Sequence, residues 1–306
     1  MSFSRLILSK SFLHPRVNLI TRPLSSAAPD DIKTDDLVRE IYHGNSTVRL
    51  VMNSTKDRNA LSLKMLNLLY DELFYINKIK KVRSVIIAGN GPAFSAGHNL
   101  KELVTEKGID HHKEVFARCT QLMTLIQSMQ VPIIAEVDGV AAAAGLQLAL
   151  SADILIASDK STFSVPGIKA GLFCHTPGVA LLRNVPHKIG MGMLLTGKAI
   201  NAEEALRAGM VTKITTSEQV KFEALEYAEA INQHSKTVVA LGKTFAHAQI
   251  GLKQSDAYRY AESVMVENLK LQDTQEGLQA FVEKRDPIYT HNGLKMGEVE
   301  EVEENK

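Results

Sequence analysis

The chain has 306 residues, 45% of them apolar and 23% charged, which is enough for a sizeable buried core beneath a charged surface. A net charge of +1, with no Lys/Arg cluster interleaved with aromatic residues, gives no reason to expect a nucleic-acid partner. Two cysteines, Cys119 and Cys174, in no CxxC or His/Cys spacing argue against a disulfide framework and indicate no metal site.

The first residues have a composition of their own. Arg5, Lys10, Arg16 and Arg22 stand among Ser, Leu, Ile and Phe, and no acid occurs before Asp30. This pattern predicts a mitochondrial transit peptide over residues 1–30, removed between Arg22 and Asp30, and therefore a matrix protein. Its apolar runs are too short and too interrupted to span a membrane.

From Leu37 the elements read in order. Leu37–His43 and Thr47–Asn53 alternate apolar and polar around Gly44-Asn45, a hairpin signal. Ser62 is placed to cap a helix whose apolar face is Leu66, Leu69, Leu73 and Ile76. Val82–Ala88 reads as a buried strand, followed by a loop at Ala93–Leu100 and a short helix near Leu100–Val104. Val115, Cys119, Leu122, Ile126 and Met129 step at helical spacing up to Pro132.

Val131–Ala157 follows, VPIIAEVDGVAAAAGLQLALSADILIA. It reads as strand, turn at Gly139, helix, and a second strand at Asp153–Ala157; Glu136, Asp138, Gln147 and Asp153 exclude a membrane span. A helix that begins only with Ala and Gly leaves its first N–H groups uncovered, where they and the helix dipole attract negative charge. A carbonyl becoming an oxyanion fits there. Thr162–Val165 is predicted extended and Pro166–Pro177 irregular. Helices are expected at Val179–Arg183, His187–Thr196 and Ala202–Ala208, with a strand at Val211–Ile214. After Ser217 the pattern is helical, ending in the acidic segment EVEEVEENK. Strand–helix alternation to about Ile214 makes the fold class α/β with a helical C-terminal region.

Four blocks resemble one family. They are KDRNALSLKML (Lys56–Leu66), AFSAGHNLKEL (Ala93–Leu103), the Val131–Ala157 stretch with ADILIAS, and FVEKR (Phe281–Arg285). In that order and spacing the chain resembles the crotonase (enoyl-CoA hydratase/isomerase) superfamily from roughly Leu37 to Tyr289. The resemblance implies a crotonase-like spiral of ββα units over 35–215. It also implies a helical trimerisation region over 216–290, in a homotrimer or hexamer, and a disordered tail over 291–306. The implied ligand is an acyl-CoA thioester, with no other cofactor. Its carbonyl oxygen is implied to lie between two backbone N–H groups, those of His98 and Ala144. Ala96, Gly97 and Gly145 complete the two corners. For the CoA portion the resemblance points to Lys56 and Arg58, and to Phe281 and Lys284 reaching a neighbouring subunit.

The chain departs from the family at two positions. A hydratase of this family carries glutamates where this sequence has Gln147 and Gly167. Hydration needs a base to take a proton from water and an acid to deliver one to carbon. Neither residue titrates usefully, so hydratase activity is expected to be weak or absent. Restoring both glutamates is expected to restore hydration. His175 is the candidate substitute base, and the His98 imidazole is expected to face CoA or solvent. Three readings follow: an acyl-CoA enzyme of mitochondrial fatty acid metabolism with altered chemistry, a non-catalytic acyl-CoA binder, or an interaction protein.

Overall fold

In a computed structural model, residues 36–298 are described, all within one compact unit. The expected transit peptide lies outside the described residues, as does the acidic segment after Glu298. Strands β1 (Leu37–Tyr42) and β2 (Thr47–Met52) pair antiparallel, Leu37 opposite Met52 and Tyr42 opposite Thr47. The hairpin is the predicted one. Ser62 accepts a hydrogen bond from the Met65 amide (3.2 Å) and caps α1 (Leu63–Ile76), whose Leu66, Leu69, Leu73 and Ile76 are buried.

Three ββα units follow: β3 (Ser84–Gly89), β4 (Ala93–Ser95) and α2 (Ile109–Ser128); β5 (Ile133–Val137), β6 (Val140–Ala142) and α3 (Ala144–Ser151); β7 (Ile154–Ser158), β8 (Thr162–Ser164) and α4 (His175–Asn184). The first strand of each unit joins a large sheet and the second a small one, so the chain winds as a spiral. With β9 (Ile200–Asn201) and β10 (Lys213–Thr215), the large sheet runs β1-β2-β3-β5-β7-β10 and the small one β4-β6-β8-β9. Beyond the hairpin the large sheet is parallel.

Period-two alternation divides the large sheet between two cores. Val85, Ile87, Ile133, Ala135 and Val137 face the main core with α1 and α2. Ile86, Ile134 and Ile156 face the other way, onto Val220, Ala224 and Ala228 of α7 (Val220–Asn232). Helix α5 (His187–Thr196) packs on α4 and on the 3-10 turn at Pro166–Ala170, and α6 (Ala202–Arg207) on β8 and β9 of the small sheet.

Two expectations are corrected and a third is extended. Strands β4 and β6 lie where loop and helix start were predicted, because three-residue strands carry no readable period. Helix α2 extends back to Ile109, ahead of its first patterned apolar residue Val115, through a turn, Asp110 to Lys113, that is polar and carries no apolar period. The segment predicted irregular holds a 3-10 turn at Pro166–Ala170, and α4 already begins at His175. Pro177, in the first turn of α4, is the signal that marks this start.

The C-terminal helices α8 (Lys236–Gln249), α9 (Gln254–Asn268) and α10 (Gln272–Glu283) leave large apolar side chains outward, with Phe281 84% and Val282 74% exposed. A buried lysine on α8 ties it to the core. Lys243 Nζ donates to the Ile126 and Val131 carbonyls (2.9 and 3.1 Å) and pairs with Asp153 (2.7 Å). Residues 291–298, assigned to the expected disordered tail, are instead bound to the C-terminal helices. The amides of Thr290 and His291 donate to Asp273, and Met296 N donates to the Lys270 carbonyl (2.9 Å).

Candidate functional site

The first corner runs from β4 into the turn Ala96-Gly97-His98. Ser95 Oγ donates to the Asn59 carbonyl (2.7 Å), Ala96 N to the Arg58 carbonyl (3.0 Å), and Leu61 N to the Gly97 carbonyl (2.7 Å). Gly97 has φ +91°, and a Cβ there would lie 2.8 Å from the Ala142 carbonyl oxygen and 3.0 Å from Ala144 N. Only glycine permits both that conformation and that approach. The second corner therefore lies directly against the first.

The second corner runs from β6 into α3. Ala143 holds φ 49° and ψ −120°, fixed by hydrogen bonds from its amide to the Ser164 carbonyl (2.9 Å) and from Gln147 N to its own carbonyl (3.0 Å). Ala144 is the first helical residue, so its N–H has no intrahelical acceptor. Among the described residues no acceptor takes the amide hydrogen of His98 or of Ala144. At Gly145 a Cβ would fall 2.3 Å from the Ser95 carbonyl oxygen, so the corners interlock on this side too.

Both corners open into one cavity of about 440 Å³. Of the predicted site residues, Ala96, His98, Ala144, Gly167 and His175 line it. The rest of the wall is largely apolar: Leu100, Leu103, Phe116, Leu172 and Phe173. Among the described residues no carboxylate lines it. The arrangement offers two hydrogen-bond donors at the wall of a low-dielectric pocket, suited to a carbonyl oxygen that gains charge.

The other predicted residues lie elsewhere. Gln147 is buried, with Oε1 lacking a partner among the described residues, and does not line the cavity. Lys56 and Arg58 are exposed beside the first corner, and of the two only Arg58 hydrogen-bonds to it, through its backbone carbonyl. Phe281 and Lys284 are exposed at the end of α10, away from this cavity. His175 sits exposed at the cavity mouth with its ring edge-on to Phe173, 5.0 Å between centroids. No described residue hydrogen-bonds the His175 ring, so it lacks the orienting partner typical of a general base.

Two features were not legible. The His98 imidazole, expected to face CoA or solvent, is turned inward onto Phe116 (5.2 Å, 80° between planes), and Nδ1 lies 3.2 Å from the Leu61 carbonyl oxygen. Burial pushes its pKa below the usual histidine value. Cys174, whose role the sequence left undefined, is buried in the cavity wall, and burial raises its thiol pKa against a hydrogen bond from the Gly167 backbone. Phe116 gave no signal because it stands one residue past the buried stripe of α2.

Asp153 locks strand β5 to α8: its Oδ2 accepts from Ile133 N (2.7 Å) and its Oδ1 meets His247 Nε2 (2.9 Å). Burial raises its pKa, but the hydrogen bonds and charge of His247 and Lys243 outweigh this and hold it below the usual value. Glu136 is paired with Arg49 (2.6 and 2.7 Å), and Asp138 accepts from Ser217 (2.9 Å), so both serve the fold. Among the described residues no group of three or more His, Cys, Asp or Glu is placed to hold a metal ion, and no helix is long and apolar enough to cross a membrane.

The spiral of ββα units recurs in known proteins. The sequence profile of the enoyl-CoA hydratase/isomerase family matches residues 43–292. The mitochondrial enoyl-CoA hydratase domain-containing protein 3 of Xenopus laevis is 49% identical over 80% of this chain and 83% of that protein. The crystal structure of human enoyl-CoA hydratase domain-containing protein 3 superposes with a TM-score of 0.81 at 42% identity, covering 83% of this chain and 99% of the other. An enoyl-CoA hydratase from Mycobacterium smegmatis gives 0.80 at 37% identity, covering 83% and 98%. Because the match spans the three ββα units as well as the C-terminal helices, the chain belongs to the enoyl-CoA hydratase/isomerase (crotonase) family.

Proposed function

We propose that this chain binds acyl-CoA thioesters in mitochondria, within fatty acid or lipid metabolism, and hydrates enoyl-CoA weakly or not at all. One observation carries this reading: His98 and Ala144, whose amides have no acceptor among the described residues, line one cavity in which no described carboxylate takes part. The amides supply what a thioester oxygen needs, and loss of one such donor typically costs ~3 kcal/mol of transition-state stabilisation. The acid and base that hydration also requires each contribute ~10²–10⁴-fold elsewhere, and neither Gln147 nor Gly167 provides one. The names of the relatives support a mitochondrial location, here assigned to the matrix. Exposed Phe281 and Lys284 suit contact with a neighbouring subunit's CoA in a homotrimer or hexamer, with Lys56 and Arg58 nearer the nucleotide of their own site.

A Cβ at Gly167 would lie 2.2 Å from the Leu172 carbonyl oxygen, so the position has no room for a side chain; this favours a second reading, a non-catalytic acyl-CoA binder or regulatory protein. A single experiment tests both. The mature protein is titrated with short, medium and long acyl-CoAs, and turnover is measured on the same panel. Binding with slow turnover supports an enzyme of altered chemistry, and binding without turnover supports the binder. Absence of binding overturns both.

A further inference from the structure

A second cavity, of about 670 Å³, shares no wall residue with the one that holds the two corners. It lies where the end of α1 meets the first turns of α8 and the segment after α10, and Lys78, Lys80, Lys236 and His291 stand in its wall. Among the described residues no carboxylate lines it. Lys78 Nζ sits over the Phe74 ring, 4.0 Å from its centre, and Lys236 Nζ donates to the Ile79 and Lys80 carbonyls (2.9 and 3.3 Å). Neither ammonium meets a carboxylate among the described residues. An ammonium has three hydrogens, which leaves Lys236 one still to give. Burial pushes the Lys236 pKa below the usual lysine value, as expected of a cation drawn out of water without a counter-charge. Asp273, the carboxylate nearby, is saturated: it accepts from Ser235 Oγ (2.6 Å), from Thr290 N and Oγ1 (2.7 and 2.8 Å) and from His291 N (2.9 Å).

His291 is held between two donors. The Lys236 amide donates to its Nδ1 (3.1 Å) and can do nothing else, so the ring hydrogen is on Nε2. Nε2 lies 3.2 Å from Arg83 Nη1, which also can only donate. Arg83 gives a hydrogen to the Asn232 carbonyl (2.5 Å) and has no carboxylate partner among the described residues. Two donors thus face each other where an acceptor belongs. We infer that this cavity binds a phosphate monoester, carried on a soluble small molecule, whose oxygens accept from His291 Nε2, Arg83, Lys236 and Lys78. Such a group brings close to two negative charges and three acceptor oxygens that point in different directions. A carboxylate brings one charge and two oxygens in a plane. The first two residues of α8, Lys236 and Thr237, are in the wall, so the positive end of that helix's dipole also favours an anion here. Asn77, Gln130, Thr244 and Leu241 complete the wall with polar and apolar contacts for the rest of the molecule.

The test is calorimetric titration of the full-length protein with glycerol 3-phosphate and, at equal ionic strength, with acetate. A Kd of about 1 mM or lower is expected for the phosphate monoester, at least ~10-fold below that for acetate. His291→Ala and Lys236→Met should each weaken binding ~10-fold, and His291→Gln, which keeps an N–H donor, should restore most of it. Lys78→Met changes an exposed residue on which the core does not depend, and should weaken binding about 3-fold in a folded protein. Saturation with butyryl-CoA should leave the titration unchanged, since the two cavities share no residue. Absence of binding, equal affinity for acetate, affinity untouched by these substitutions, displacement by butyryl-CoA, or binding to phosphatidic acid vesicles but not to glycerol 3-phosphate overturns the inference. The acyl-CoA reading is tested separately and does not depend on the result.

Discussion

Gly167 and Cys174 compete for one volume. A Cβ on Gly167 would lie 2.7 Å from Cys174 Sγ and 2.2 Å from the Leu172 carbonyl oxygen. The loop that leads into α4 fills the space beside Gly167, the position where the resemblance implied a glutamate in hydratases, and leaves no room for a side chain there. The sequence-based expectation that two substitutions restore hydration therefore meets a backbone obstacle.

Gly167→Glu together with Gln147→Glu is now expected to leave crotonyl-CoA hydration near its starting level, followed as loss of the conjugated thioester's ultraviolet absorbance. Gly167→Ala alone should destabilise the protein by about 1–3 kcal/mol, as overpacking does. A well-folded, fully stable Gly167→Ala protein would show that the loop yields freely.

Ala143 is held at φ 49° and ψ −120°, a region where side-chain-bearing residues are strained by about 1–3 kcal/mol. Ala143→Gly removes that strain at a smaller entropic cost. Thermal unfolding should shift upward, equivalent to about 1 kcal/mol. A lower melting temperature would place the strain elsewhere.

Asp153→Asn leaves the Lys243 ammonium, 6% exposed, without its counter-charge. Breaking a buried pair this way costs about 3–5 kcal/mol, measurable by denaturant unfolding at neutral pH. The pH dependence has a definite sign. The folded pKa of Asp153 lies below its ordinary 3.8, so its contribution is present above that pH and disappears as pH falls through the lower folded value. In Asp153→Asn that portion of the acid limb should be absent.

Burial pushes the Cys119 thiol up to about 12, and the Cys174 thiol is also raised. At pH 8 the Cys119 thiolate fraction is on the order of 10⁻⁴. Mass spectrometry after iodoacetamide treatment should find Cys119 unmodified until the protein unfolds. Cys174, in the cavity wall, should react slowly and be protected by bound acyl-CoA. Rapid labelling of Cys119 in the native state would contradict the core described above.

Much of the fold was present in the chain's periodicities. The hairpin at Gly44-Asn45, the Ser62 cap and the apolar face of α1 depend on neighbours within a few residues, so local pattern sufficed. The two small-residue corners were equally plain from residue identity in order along the chain, whereas the reading of Gln147 and Gly167 as standing where hydratases carry glutamates came from the family resemblance alone. Three-residue strands such as β4 and β6 were not, because their stability comes from partners in other units. The inward turn of His98 depends on the Leu61 carbonyl and on Phe116, brought together by packing between elements. The closure at Gly167 is of the same kind: a backbone oxygen and a sulfur from a following loop fill a space that no sequence spacing describes. Local chemistry pointed to the two small-residue corners; only the packing of distant segments decided which atoms among the described residues are left without partners.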